Sequence, residues 1–164
     1  MKLKSIALLL ATLGLAAGTL HAAGKTAGPN GGRIVAISDG PKYEFLVLPD
    51  RKVQLTFLGE GGKPADPADR TASAIGGDRT APTRLVFTKS GQSLVSDKPL
   101  PEGKMIPIVL TVKTAPDAKS AVEKFNIDLS DCPTCEHQEY ACTCAHGEEG
   151  HEGHDHGDHK DHDH

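Results

Sequence analysis

The sequence predicts an all-β fold, and three features between residues 24 and 131 support this class. Short apolar runs alternate with polar residues at the period of two that a half-buried strand requires. Clusters of Gly, Pro and Asp interrupt these runs roughly every ten residues, as turns do in all-β domains. The four phenylalanines fall inside the apolar runs. We therefore predict a small antiparallel sandwich or barrel of seven or eight strands, followed by a disordered His-rich C-terminal tail.

The individual strands follow from alternation and from the turn residues between them. Val53, Leu55 and Phe57 share one face of a clearly alternating run. Pro107 lacks the N–H that a central strand donates, so it predicts an edge strand or a bulge. Residues 115–123 are ambiguous and also fit a helical turn. The predicted strands are residues 33–38, 43–47, 53–57, 71–75, 84–88, 93–96, 105–113 and 125–129, and residues 59–69 are predicted as a loop.

The core of this domain is expected to form around its aromatic residues. Glu44 stands in the middle of a strand among apolar residues, and we expect its side chain to face solvent, as on one side of an antiparallel sheet. The residues predicted to centre the core are Phe45, Phe57, Phe87 and Phe125.

The domain offers no recognisable catalytic constellation. Residues 24–131 contain neither His nor Cys, and their carboxylates are scattered among turns rather than paired. The hydroxyls of Thr71, Ser73 and Ser93 have no histidine to activate them. We therefore expect a protein that is not an enzyme.

Charge is divided unevenly along the chain. Residues 24–131 carry fifteen Lys and Arg against thirteen Asp and Glu, a net charge of +2. Residues 146–164 carry one Lys against seven Asp and Glu, a net charge of −6 with His neutral. An acidic tail suits cations, and the domain lacks a basic stripe with interleaved aromatics, so nucleic acid is not an expected partner.

Residues 1–23 have the three parts of a bacterial secretory signal. Lys2 and Lys4 give a positive start, residues 5–20 are uncharged and mostly apolar, and Ala22 and Ala23 offer a cleavage site. The uncharged run is shorter than the about 20 residues of a spanning helix. We expect a periplasmic or secreted protein that has no membrane segment after cleavage.

All four cysteines lie in a short segment, residues 132–145, that follows the domain. Their spacing is C-x2-C, six residues, and then C-x-C. Four thiolates this close in sequence suit a tetrahedral zinc site or Cu(I). Two disulfides are the alternative, since an even cysteine count is typical of an oxidising compartment, and a redox-active pair is a third possibility. The candidate ligands here are Cys132, Cys135, Cys142 and Cys144, with His137 close by.

The last nineteen residues, 146–164, form a tract rich in His, Asp, Glu and Gly. Neutral imidazoles flanked by carboxylates are a compositional sign of divalent-metal binding, and the glycines let the backbone fold round an ion. The irregular spacing and the interleaved acidic residues argue against a purification tag. The candidate ligands are His146, His151, His154, His156, His159, His162 and His164.

Four stretches of the domain also resemble a known family. They are Gly28-Pro-Asn-Gly-Gly-Arg33-Ile-Val, Tyr43-Glu-Phe-Leu-Val47, Arg51-Lys-Val53-Gln-Leu55 and Gly62-Lys-Pro64. Together they are similar to small β-domains carried by, or encoded as partners of, periplasmic adaptor proteins of cobalt–zinc–cadmium efflux systems. The resemblance implies an exported, non-enzymatic β-domain that works beside a metal exporter. The chain shows no counterpart of the helical hairpin or biotinyl-like domain of a full adaptor.

These observations favour a periplasmic metal-binding accessory protein, a chaperone or buffer linked to heavy-metal efflux or homeostasis. Zinc is the preferred ion because Met1 and Met105 are the only thioethers, and Cu(I) favours thioether ligands. Copper, nickel and cobalt are alternatives, since His binds them well. The expected partners are divalent metal ions and an efflux adaptor. Two other hypotheses are an adhesion-type β-domain with disulfides and a solubilising tail, and a thiol redox protein.

The signal sequence gives a direct prediction about processing. N-terminal sequencing of the exported protein should begin at Ala23 or Gly24, because small residues precede the cut. Recovery of intact Met1 in the membrane fraction would contradict this expectation.

Overall fold

A computed structural model of the protein describes residues 27–37 and 40–144. In these residues every strand pairing is antiparallel, which confirms the predicted all-β class. Short 3₁₀ turns are the only helical elements in this part of the chain, and none of its helices is long and apolar enough to cross a membrane. The strands are β1 (Arg33–Ala36), β2 (Lys42–Val47), β3 (Val53–Leu58), β4 (Pro64–Ala65), β5 (Thr71–Gly76), β6 (Thr83–Ser90), β7 (Ser93–Ser96), β8 (Met105–Lys113) and β9 (Ala121–Asp128).

The strands join in one sheet that curls back on itself. Their order is β1-β2-β3-β7-β6-β5-β8-β9, with the short β4 paired to β3. Although β2 and β9 lie near opposite ends of this order, the rings of Phe45 and Phe125 meet edge to face, with centroids 5.2 Å apart. The Arg33 guanidinium of β1 also lies 5.2 Å from the Phe125 centroid. The fold is therefore a half-barrel, and we call the gap between β1 and β9 the seam.

The concave side of the curled sheet holds the core. Alternation along each strand sends every second side chain inward, where apolar burial stabilises the fold. Of the predicted core phenylalanines, Phe45, Phe57 and Phe87 are buried, whereas Phe125 is partly buried because it lies on an end strand. The largest side chains with at most 1% exposure include Tyr43, Phe45, Leu55, Phe57, Leu85, Ile106, Ile108, Leu110 and Ile127.

Most strand bounds differ from the prediction by one or two residues, and two differences are larger. β4 pairs with β3 inside the expected loop 59–69, and β9 begins at Ala121, within the ambiguous stretch. The eight residues of β9 pair continuously with β8. Tertiary pairing therefore decides a segment whose local sequence is indifferent between strand and turn.

The expected edge position of Pro107 is wrong, because β8 lies between β5 and β9. The Pro107 carbonyl accepts the Gly77 N–H at 3.0 Å, on the side of β5. In an antiparallel strand the N–H and C=O of one residue face the same neighbour, so the missing N–H also faces that side. β5 has already ended at Gly76 there. The proline consequently removes no bond from the β8–β9 pairing.

The expected exposure of Glu44 is also wrong, since its side chain is fully buried. Residues 28–32 fold over it, and its carboxylate accepts the backbone N–H groups of Asn30 and Gly32, each at 2.8 Å, and the Asn30 side-chain amide at 2.6 Å. A Cβ on Gly28 would overlap the Glu44 side chain. A buried carboxylate is tolerated here because three donors satisfy it.

Each end strand carries one charged residue on its inner face. Arg33 shares that face of β1 with Val35, and Glu123 shares that face of β9 with Phe125. Both flank Tyr43, whose pKa is raised, first by burial and then by Glu123. The inner side of the seam therefore carries charged side chains as well as apolar ones.

The Glu44 carboxylate and the residues 28–32 that donate to it, which we call the Glu44 clasp, predict an effect on the free energy of unfolding. Glu44→Gln places an amide N–H against the donors of residues 28–32, so the free energy of unfolding should fall by about 1–3 kcal/mol in urea denaturation. Glu102→Gln, at an exposed site, is the matched control and should shift it by less than about 0.5 kcal/mol. Equal stability of the two variants would mean that the clasp contributes nothing.

Candidate metal centre

The candidate centre is built on the segment that leaves β9. The Asp128 carboxylate accepts the Ser130 N–H at 2.9 Å, and this bond is the main reason that the pKa of Asp128 is lowered. Asp131 and Gln138 then form an isolated antiparallel bridge. Between them the Cys132 N–H donates to the His137 carbonyl at 3.0 Å. Residues 132–137 thus close into a tight turn, which we call the cysteine loop.

A 3₁₀ turn, Glu139–Ala141, brings the chain back toward the cysteine loop. Its start is held by the Glu139 N–H, which donates to the Ser130 carbonyl at 2.9 Å. The chain then leaves in an extended conformation at Cys142 (φ −62°, ψ 134°). This reversal carries Cys142 and Cys144 to the side of the cysteine loop.

The four cysteine sulfurs converge on one point. All four Sγ atoms lie within 4.8 Å of one another. The Sγ atoms of Cys132 and Cys142 are 3.3 Å apart, and those of Cys135 and Cys142 are 3.7 Å apart. Cys132 and Cys142 are buried, whereas Cys135 and Cys144 are partly exposed.

Several polar hydrogens point at these sulfurs. The Thr134 hydroxyl lies 3.1 Å from Cys144 Sγ and 3.3 Å from Cys132 Sγ. The Cys144 N–H donates to Cys142 Sγ at 3.3 Å, and the His137 N–H donates to Cys135. Donors aimed at sulfur favour the thiolate over the thiol. These hydrogen bonds therefore stabilise negative charge on the sulfurs.

Without a cation, burial opposes that charge. Burial is the main reason that the pKa of Cys142 is raised to about 12. For Cys135 the His137 N–H is the largest influence and lowers the pKa, but burial and the neighbouring thiols outweigh it and raise the pKa overall. A bound cation reverses this balance, because a metal-ligating thiol is deprotonated outright. Metal binding must therefore release protons.

The spacing of the sulfurs suits a tetrahedral ion. A tetrahedral Zn–S₄ site with bonds of about 2.3 Å has sulfur–sulfur edges of about 3.8 Å. The separations of 3.3 and 3.7 Å and the common limit of 4.8 Å bracket this value. The four cysteines could thus hold a metal ion with small side-chain adjustments.

The other predicted ligands fall elsewhere. Among the described residues, the metal-capable group consists of the four cysteines and does not include His137. The His137 imidazole lies beside Gly31, which has a φ of 85°. His146, His151, His154, His156, His159, His162 and His164 lie outside the described residues, as does the whole predicted tail.

Two residues of the centre were missed in the sequence. Thr134, between the first two cysteines, is the hydroxyl that contacts two sulfurs. Tyr140 lies between the two cysteine pairs, is 9% exposed, and belongs to the main core. A lone aromatic residue in a polar, cysteine-rich stretch was the available sign that this segment packs on the domain.

A cavity of about 630 Å³ adjoins the centre at the seam. Arg33 of β1, Met105 of β8, Asn126 of β9 and residues 139–142 line it. The buried Cys142 therefore borders both the sulfur cluster and this cavity.

Comparison with known proteins yields no family model, no curated protein and no solved structure that matches the chain.

The sulfur geometry predicts the behaviour of the thiols. In zinc-loaded protein the four thiols should resist a thiol reagent, and a strong chelator should make all four reactive, because the ligands are thiolates held by the ion. The tail histidines do not react with the reagent, so they do not affect the count. An intact mass four hydrogens below the reduced value, with thiols appearing only after a reductant, would replace the metal site with two disulfides.

Proposed function

We propose that the protein is a metal-binding accessory protein, a chaperone or buffer for zinc or a similar divalent ion in an exported compartment. The observation that carries the proposal is the convergence of four cysteine sulfurs within 4.8 Å. Sequence spacing places these cysteines near one another, and the fold directs all four side chains to one point. No catalytic role is assigned to any residue.

The donor set favours a thiophilic ion. Four thiolates suit zinc and its soft neighbours far better than magnesium or calcium. The sulfur–sulfur separations suit the tetrahedral geometry of zinc, and Met105, the one thioether among the described residues, is 66% exposed. We therefore assign zinc to the cysteines and keep copper, nickel and cobalt as candidates for the histidines.

Two kinds of site imply two kinds of binding. The cysteine centre is organised by backbone hydrogen bonds and partly buried, which favours a single tightly held ion. Residues 146–164 supply many imidazoles and carboxylates without apolar residues, which favours several weaker and rapidly exchanging ions. A protein with both kinds of site can collect ions and retain one.

A working relation to a heavy-metal efflux adaptor rests on the sequence resemblance alone. Export rests on residues 1–23. A metal store beside an exporter would be served by one firmly bound ion and several labile ones, so the two kinds of site are compatible with that proposal.

The alternative is a thiol redox protein. Cys132 and Cys142 sulfurs 3.3 Å apart need only a small movement to reach the about 2.05 Å of a disulfide bond. Both functions use the same residues, so metal content together with the thiol count separates them. A reversible dithiol that retains no metal would favour the redox function.

Zinc titration of the full chain at several pH values tests the two-site proposal. Neutral imidazole binds the metal, and its unperturbed pKa is about 6.5, so uptake by the tail should rise steeply between about pH 5.5 and 7.5. Replacing His151, His154, His156, His159, His162 and His164 with Asn keeps the carboxylates. That variant should retain about one tightly bound zinc and lose most of the remaining uptake and its pH dependence in this range.

The matched control replaces the four cysteines with Ser and leaves the tail intact. It should lose the tight ion while keeping the weaker, pH-dependent uptake. Native mass spectrometry gives the number of ions in each variant. If neither variant differs from the parent in zinc binding, the proposed function is wrong.

A further inference from the structure

Tyr140 connects the candidate metal centre to the half-barrel. Its hydroxyl accepts the backbone N–H of Val47, the last residue of β2, at 2.9 Å. Its ring meets the Phe45 ring at 82°, with centroids 6.3 Å apart. Phe45 in turn contacts Phe125 across the seam. Tyr140 therefore packs where the two ends of the curled sheet come together.

The cysteines stand on both sides of Tyr140 in sequence. Cys132 and Cys135 precede it, and Cys142 and Cys144 follow it. An ion held by all four would close residues 132–144 into a cross-linked loop with Tyr140 inside it. Closing a loop removes conformational freedom from the competing open states, so it favours the conformation in which Tyr140 is docked.

In the absence of an ion, hydrogen bonds hold part of residues 132–144 in the conformation in which Tyr140 is docked. The Glu139 N–H to Ser130 bond and the Gln138 side-chain bond to the Leu129 carbonyl at 3.1 Å hold the start of the 3₁₀ turn. Beyond the turn, the Cys142 N–H donates to the Glu139 carbonyl at 3.3 Å, and the sulfurs of Cys142 and Cys144 contact the cysteine loop and each other. The sulfur cluster thus joins the far side of the loop to its near side.

A second contact reaches the same corner of the fold. The His137 ring lies beside Gly31, and the neighbouring Asn30 is bonded to Glu44 of β2. The cysteine loop and the 3₁₀ turn therefore both rest on β2 or on the residues that cover it. Residues 132–144 therefore contact β2 or its cover at two places, through Tyr140 and through His137.

We propose that Tyr140 is a positioning residue of the four-cysteine centre, so that metal loading and docking of Tyr140 on β2 are one coupled event. Docking of Tyr140 brings the two cysteine pairs together, and the ion holds Tyr140 in place. The coupling is reciprocal. The free energy by which zinc stabilises the docked Tyr140 equals the free energy by which docking strengthens zinc binding. This inference rests on the proposed function, because it requires metal at the cysteines.

Amide hydrogen exchange at Val47 tests the first half of the coupling. The experiment uses the full chain with the six tail histidines from His151 to His164 replaced by Asn, so that one equivalent of zinc goes to the cysteines. Zinc should slow exchange of the Val47 amide by about tenfold or more, because its acceptor is the Tyr140 hydroxyl. The Leu94 amide, in β7 on another part of the sheet, is the internal reference and should change much less.

Zinc affinity of Tyr140 variants tests the second half. By chelator competition, Tyr140→Ala should bind zinc at least about tenfold more weakly than the parent. Tyr140→Phe keeps the ring and should restore affinity to within about threefold, while the Val47 amide loses its acceptor and exchanges faster. Phe87→Ala, which removes a similarly buried aromatic ring from β6, should lower stability without changing zinc affinity.

The outcomes separate this inference from the function on which it rests. If the parent retains no zinc at its cysteines, the proposed function fails. If zinc binds but leaves Val47 exchange unchanged, or if Tyr140→Ala binds zinc as the parent does, the coupling fails while the metal site stands. Should Tyr140→Ala not fold, the Val47 measurement decides the question, because it uses protein in which Tyr140 is intact.

Discussion

The edge-to-face contact between Phe45 and Phe125 is the interaction on which the rest of this structure depends. An antiparallel sheet that ended flat would leave the inner faces of β1 and β9 in water. Where these two rings meet, the curled sheet brings its two ends together, and its core is enclosed on most sides. The curl leaves a wedge at the seam, and the segment after β9 fills that wedge with Tyr140. The sulfur cluster lies beside Tyr140, where the chain reverses its direction.

The buried Glu44 carboxylate has a similar organising effect at the N-terminal side. Its three hydrogen bonds fix the turn at residues 28–32 against β2. That turn presents Gly31 to the His137 ring, and a side chain at Gly31 would be strained by its φ of 85°. The glycines of this turn therefore serve the packing of two distant segments. The turn that precedes β1 is thus a cap on a buried charge.

Much of the fold could be predicted from the sequence because period-two alternation reports burial directly. The strand Met105–Lys113 was predicted with its observed bounds, and the predicted strands 84–88 and 93–96 fall within the paired strands β6 and β7 or match them. The burial of Glu44 could not be found that way, because alternation records apolar side chains and not the donors that satisfy a carboxylate. Pro107 fits in a central strand because the pairing of the neighbouring strand β5 ends at Ile108. The end of β5 is set by the sheet and could not be predicted from the residues around Pro107.

The candidate site divides in the same manner. Clustering of the cysteines in sequence predicts that their backbones lie close together, and it leaves a shared metal site and two disulfides as alternatives. Only the fold shows that all four sulfurs converge on one point. The position of His137 was different: the bond from the Cys132 N–H to its carbonyl closes the cysteine loop, while its ring lies beside Gly31. Short spacing therefore places the backbone near a site without deciding where the side chain points. The role of Tyr140 required the tertiary structure altogether.

Arg33 and Glu123 have a consequence for self-association. An unpaired end strand can add a strand from another copy, and extended aggregates grow in this way. Such addition proceeds most easily along a flat, continuous sheet with a uniformly apolar inner face. Here each end strand places one charge on that face, and a second copy stacking against it would have to desolvate that charge. The half-barrel can thus remain incompletely closed, with a cavity at its seam, and still resist joining to its neighbours.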